Sequence, residues 1–339
     1  MQGPSGHDRI FAVARSRQTS HLAALVVVVA AAACDAPHSN PLDPLSPDFE
    51  NVGVLEGTVT NRSFEPITGV TVTRLPDGAT TTTQSDGTFT FGGVAPGTYT
   101  VVVTGTGLAA DTTSVNVELA QVTSHAFILN ALPAVTDAAL TTVHISRWWP
   151  AQDLYRLDVE SGVSDPDGLA DVSSVSIDIP AAAYTTALQP STEAGVFVAS
   201  LTEADVGTSL HSLLGRDIHI IVADQAGGST SAGPWYLTRI IDYVPETISP
   251  SASQEVPGGS PLLEWEAAQV PFEHGYRVDV YRVDDDVATI VYTVQDIADS
   301  QLSHQVADTL PMGSYYWTIS VVDEYGNRSR SREAGFLVP

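Results

Sequence analysis

From Gly53 onward, apolar residues recur at every second position in short runs, and each run is broken by Pro, Gly, Asp or Asn. Thr98–Val103 (TYTVVV) puts Tyr99, Val101 and Val103 on one face, and TFTF at 88–91 pairs Phe89 with Phe91. Period two is the signature of half-buried strands. Between the runs, Pro76-Asp77-Gly78, Ser85-Asp86-Gly87 and Ala95-Pro96-Gly97 supply the preset or positive φ that tight reversals need. The chain therefore reads as all-β, in tandem immunoglobulin-like β-sandwich domains. Its 339 residues are too many for one sandwich. Divisions are expected at 53–131, 132–245 and 246–339.

The first 52 residues read differently. Arg9, Arg15 and Arg17 precede an unbroken apolar run, Leu22–Ala33 (LAALVVVVAAAA), that stops at Cys34. A dozen apolar residues suit a signal peptide and fall short of the ~20 needed to span a bilayer. Residues 1–33 are expected to be cleaved. Ala31-Ala32-Ala33-Cys34 resembles the bacterial lipobox, departing from it at Ala31, where the pattern prefers leucine. The resemblance implies lipidation of Cys34, the only cysteine in the chain. A simple secretory signal with an incidental cysteine is the alternative. The stretch 34–52, rich in Pro, Asp, Ser and Asn, reads as a flexible tether. Together these features predict a protein of the cell envelope, anchored to a membrane through lipid on an outer, periplasmic or surface face.

Charge narrows the partners. Forty acidic residues face fourteen basic ones, all arginine, for a formal charge of −26. Such a surface repels nucleic acid. A protein or glycan at the cell surface remains as partner.

In the first domain, Gly57-x-Val59, Pro66-Ile67-x-Gly69-Val70-x-Val72, Ser85-Asp86-Gly87-x-Phe89-x-Phe91 and Val94-x-Pro96-Gly97-x-Tyr99-x-Val101 appear in order. This series resembles the carboxypeptidase regulatory-like domain. The resemblance implies a transthyretin-like or starch-binding-like sandwich and a role in scaffolding, adhesion or carbohydrate contact. No His-x-x-Glu zinc motif accompanies it, so peptidase activity does not carry over. At the other end, Pro261-Leu262-Leu263-x-Trp265, Tyr276-x-Val278-x-Val280-Tyr281, Gly313-x-Tyr315-Tyr316-Trp317-x-Ile319 and Val322-Asp323-x-Tyr325-Gly326-Asn327 resemble a fibronectin type III domain. That implies spacing or protein contact, with Trp265 as core anchor.

The middle domain shows strands at Tyr155–Val159, Val172–Ile179, Val196–Leu201, Ile218–Ala223 and Trp235–Ile241. Its SDPDGLAD segment sets Asp165, Asp167 and Asp171 close together. Clustered carboxylates suit calcium, but Leu169 breaks the EF-hand pattern and Asp-Pro-Asp-Gly is also a good turn. Both readings stand. Trp148 and Trp149, if on a strand, point to opposite faces. Three roles are open to them: the joint between the first two domains, a stacking surface for a sugar ring, or ordinary core.

No catalytic constellation emerges. The chain has no Gly-x-Ser-x-Gly elbow, no phosphate-binding glycine loop and no convergent histidine set. Apart from calcium, no cofactor is implied, and the chain reads as a non-enzyme.

Overall fold

The computed structural model describes residues 45, 46 and 51–339. The expected leader, Cys34 and most of the expected tether lie outside the described residues. Three hydrophobic cores follow one another along the chain, within a structure that is nearly all β.

The first core lies between two sheets made by β1 (Gly53–Asn61), β2 (Thr71–Leu75), β3 (Ala79–Thr82), β4 (Thr88–Val94), β5 (Gly97–Thr104), β6 (Asp111–Val117) and β7 (Val122–Leu129). The sheet orders are β4-β1-β7 and β3-β2-β5-β6. Alternation does what the sequence predicts. Leu55, Val59, Phe89, Val101, Val103 and Phe127 point inward and are fully buried, while their neighbours face out. Phe89 and Phe91 meet edge to face with centroids 6.2 Å apart. β1 pairs in parallel with β7, from Val54 opposite Val122 to Asn61 opposite Leu129. Gly57 sits where a Cβ would fall 2.1 Å from the His125 carbonyl oxygen and 2.6 Å from the Phe89 ring. That crowding is the reason for a glycine in the middle of a strand, where it otherwise weakens the ladder.

The second core is enclosed by β8 (Ala134–Ile145), β9 (Leu154–Ser164), β10 (Val172–Ile179), β11 (Tyr184–Ala187), β12 (Gln189–Pro190), β13 (Val196–Thr202), β14 (Ile218–Asp224) and β15 (Ser229–Trp235). One sheet runs β11-β10-β14-β15, and β12-β13-β9-β8 faces it. The strand expected at Trp235–Ile241 is not one. β15 ends at Trp235, and residues 238–246 continue as extended chain outside any ladder. The reason lies in where its carbonyls go. Thr142 Oγ1 donates to the Arg239 carbonyl at 2.7 Å, and the His144 ring meets the Ile241 carbonyl at 3.2 Å. Side chains of β8 satisfy this backbone in place of a neighbouring strand.

The third core is built by β16 (Thr247–Ser249), β17 (Gln254–Glu255), β18 (Leu262–Trp265), β19 (His274–Asp284), β20 (Val287–Ala298), β21 (Ser303–Gln305), β22 (Gly313–Asp323), β23 (Arg328–Arg330) and β24 (Ala334–Val338). The sheet β16-β18-β21 packs on β24-β22-β19-β20, the kind of sandwich that the fibronectin type III resemblance implies. Trp265 and Trp317 meet at its centre, both buried, with ring centroids 6.5 Å apart.

The second and third sandwiches are not beads on a string. β23 pairs in parallel with β8, Arg328 opposite Val143, Ser329 opposite His144 and Arg330 opposite Ile145. Because β23 also pairs with β22, one sheet of ten strands runs through both domains. Backbone hydrogen bonds cross the joint, and they fix the angle between the two cores far more tightly than a linker does.

Candidate functional site

Two joints between sandwiches bring chemistry-bearing side chains together. At the first, the turn after β9 brings Asp165, Asp167 and Asp171 together. Each offers an oxygen, and these oxygens lie within 4.8 Å of one another. Gly168, at φ +105°, takes the backbone conformation that lets the turn close, and its N–H donates to the Asp165 carbonyl.

The first domain holds this turn from above. Asp167 accepts the backbone N–H of Arg62 at 3.1 Å on one oxygen and that of Ala131 at 2.7 Å on the other. The Arg62 guanidinium reaches Asp171 at 3.4 Å and the Asn130 side-chain oxygen at 3.5 Å. Asn130 in turn donates to Asp224 at 2.7 Å. Asp224, at the end of β14, is buried and accepts the Gly228 N–H at 2.7 Å.

Asp165 is the odd member. It is 9% exposed; one oxygen accepts the Asp167 N–H at 2.8 Å, and Oδ2 is buried with no hydrogen-bond partner. Burial pushes its carboxyl above the usual aspartate range. The Asp167 N–H opposes this, and the nearby Asp171, Asp167 and Asp224 carboxylates add to it. Sequence spacing finds three of the four acids. Asp224, Asn130 and Arg62 come from distant strand ends, and only the similar turn Asp224-x-x-Gly227-Gly228 hints at the fourth.

The second joint lies at the far end of β8. The expectation that Trp148 and Trp149 lie on a strand is not met. β8 ends at Ile145, and both residues sit in a bend before Pro150, which has no N–H to continue a ladder. Neither is core, since Trp148 is 63% and Trp149 85% exposed. Nor do they cover the joint between the first and second domains. A twelve-residue strand carries them about 40 Å away from it. Trp148 donates from Nε1 to the Glu333 carbonyl at 3.0 Å, and Arg332 lies over its ring at 4.7 Å. It therefore belongs to the second–third joint, on an open cleft of about 420 Å³ lined also by Asp153, Val244 and Glu246.

Beneath that surface, His144 Nδ1 lies 2.9 Å from Ser329 Oγ, and its Nε2 lies 3.2 Å from Asp153 without hydrogen-bond alignment. Serine, histidine and aspartate in a row invite comparison with a hydrolytic triad. Ser329 is completely buried, however, so a substrate carbonyl has no route to its Oγ. The histidine instead stitches β8 to β23 and to the connecting segment at Ile241. Its ring stacks on Tyr155 at 4.5 Å. Tyr155 donates to Asp242 at 2.9 Å, an acid it shares with His211.

The topology of the first sandwich and the glycine forced at position 57 give the resemblance a structural basis. Residues 54–130 match the carboxypeptidase regulatory-like domain. This regulatory-like domain accounts for the first core and supplies Arg62 and Asn130 to the aspartate cluster. No curated protein matches the chain. Among solved structures, it is similar to the Bacillus anthracis TIE protein at 12% identity, over 85% of this chain and 49% of that one, with a TM-score of 0.28. It thus spans about half the length of that protein. It is also similar to fibronectin(III)-like modules of Clostridium thermocellum CbhA at 11% identity, over 61% of this chain and 93% of that one, TM-score 0.28. Chicken CNTN1 FN1–FN3 domains give 11% identity, 80% and 90% coverage, and a TM-score of 0.29.

Proposed function

We propose that the chain is a non-catalytic, lipid-anchored protein of the cell envelope, in which the regulatory-like domain and two further sandwiches form a stalk that presents an interaction surface. The observation that carries this reading is the sheet shared by the second and third domains, because a spacer needs joints that hold their angle. The polar contacts between Asp167 and the first domain favour it as well. The address at Cys34 supplies the anchor. Mass spectrometry of membrane fractions from a bacterial host expressing the wild type or Cys34→Ala tests it. A lipid-modified N-terminus at Cys34 is expected, lost in the variant together with membrane association. An unlipidated wild-type product in the soluble fraction would remove the anchor from the proposal.

Trp149 favours a second reading, carbohydrate binding. A tryptophan this exposed on a bend offers a flat ring face for stacking on a sugar. On this reading a glycan array probed with the wild type gives hits that Trp149→Ala loses. An array without hits eliminates it.

A further inference from the structure

We propose that Asp165, Asp167, Asp171 and Asp224, with the side-chain oxygen of Asn130, form a calcium site that fastens the first sandwich to the second. Two independent observations meet here. One is the convergence of carboxylate oxygens within 4.8 Å. That is no wider than the about 4.6–5.2 Å spanned by two oxygens on opposite sides of one calcium ion. The other is Asp165 Oδ2, an oxygen buried beside them without a donor. A buried acceptor left unpaired is costly, and a cation among these carboxylates removes the cost.

The donor set selects the ion. It consists of carboxylate and amide oxygens, with no histidine or cysteine in the cluster, which is the preference of a hard cation. Against four carboxylates, the cationic side chain bonded to the cluster is Arg62, and its hold on Asp171 is loose at 3.4 Å with the side chain 41% exposed. A divalent ion outcompetes such a rim contact. Gly228 keeps this floor narrow, since a Cβ there would lie 2.4 Å from Asp224 Oδ2 and 2.7 Å from the Asn130 side-chain nitrogen.

The site belongs to both domains. Asn130 closes the regulatory-like domain just after β7, and the four acids belong to the second sandwich. Arg62 and Ala131 place their N–H groups on Asp167, so an ion that orders Asp167 also orders two of the points where the first domain touches the second.

The test is calorimetric titration of the chelator-treated full chain with calcium chloride. One ion per chain is expected, with a Kd on the order of 10⁻⁴–10⁻³ M, the range of extracellular modules. Asp165→Asn is expected to weaken binding at least about tenfold by removing a ligand charge from a partly desolvated site. Arg62→Gln leaves every ligand in place and removes the competing cation, so it tightens binding about 3–10-fold. Hydrogen exchange at the Arg62 and Ala131 amides slows when calcium is added. Absence of binding up to about 10 mM calcium overturns the proposal, as does binding that neither variant changes. Equal binding of magnesium overturns the assignment to calcium.

Discussion

Trp317→Ala is expected to unfold the third sandwich well below the melting temperature of the intact chain. Trp317 is completely buried, packs on Trp265 and donates from Nε1 to the buried Pro250 carbonyl at 2.8 Å. Truncation therefore opens a cavity the size of an indole and strands an acceptor in it. Such changes cost about 3–5 kcal/mol. Against total stabilities of about 5–15 kcal/mol, that is a large share for a domain of this size. A drop on the order of 6–20 °C follows from the size scaling of unfolding entropy for two sandwiches that melt together. Calorimetry with near-ultraviolet dichroism as second probe checks it. A shift of only a few degrees would mean that the core around Trp265 closes over the gap.

Asn327→Ala is expected to uncouple the second and third sandwiches. Asn327 is 1% exposed in the turn before β23. Its side-chain oxygen accepts the Thr142 backbone N–H from β8 at 2.9 Å, and its amide donates to Asp323 at 3.0 Å. Asp323 also holds Arg239 of the connecting segment at 2.7 Å. Removing the amide leaves a buried backbone N–H with no acceptor and loosens the acid that grips the connector. The cost is about 2–4 kcal/mol, and it falls on the joint rather than on either core. Two thermal transitions should then replace a joint one. A single transition in the variant at the wild-type temperature would show that the sheet alone couples the domains.

The first sandwich was almost wholly readable from sequence because its turns depend on particular residues. Gly78 and Gly87 take positive φ, Asp86 accepts the Thr88 N–H at 3.0 Å, and the Tyr99 hydroxyl donates to the Ala95 carbonyl at 2.9 Å. Where local chemistry sets the backbone, local sequence reports it. The joint between the second and third domains leaves no such trace. β23 has only three residues, Arg328-Ser329-Arg330, and reads as the end of a turn. Its partner Val143–Ile145 lies 185 positions away, and parallel pairing at that range imprints no period on either strand.

The aspartates show the same division. Asp165, Asp167 and Asp171 share one turn and are visible as a cluster. Asn130 and Asp224 are tied to them through Arg62 and through each other, because strands from two sandwiches end at the same place. Of the three roles open to the tryptophan pair, the joint between the first two domains falls away for a related reason. Sequence position put it near the first joint, while the length of β8 carries it to the second.

On the proposed anchoring, the parallel pairing of β1 with β7 also bears on how the chain would carry load. These are the first and last strands of the regulatory-like domain, matched over eight residues from Val54–Val122 to Asn61–Leu129. A pull between an anchored N-terminus and a partner held at the far end drags β1 by its start and β7 by its end, in opposite directions along a common axis. All the hydrogen bonds of that ladder then bear the force together and must break together, whereas an antiparallel hairpin pulled from its open end would yield one pair at a time. On that reading, the first sandwich is a shear-loaded clasp.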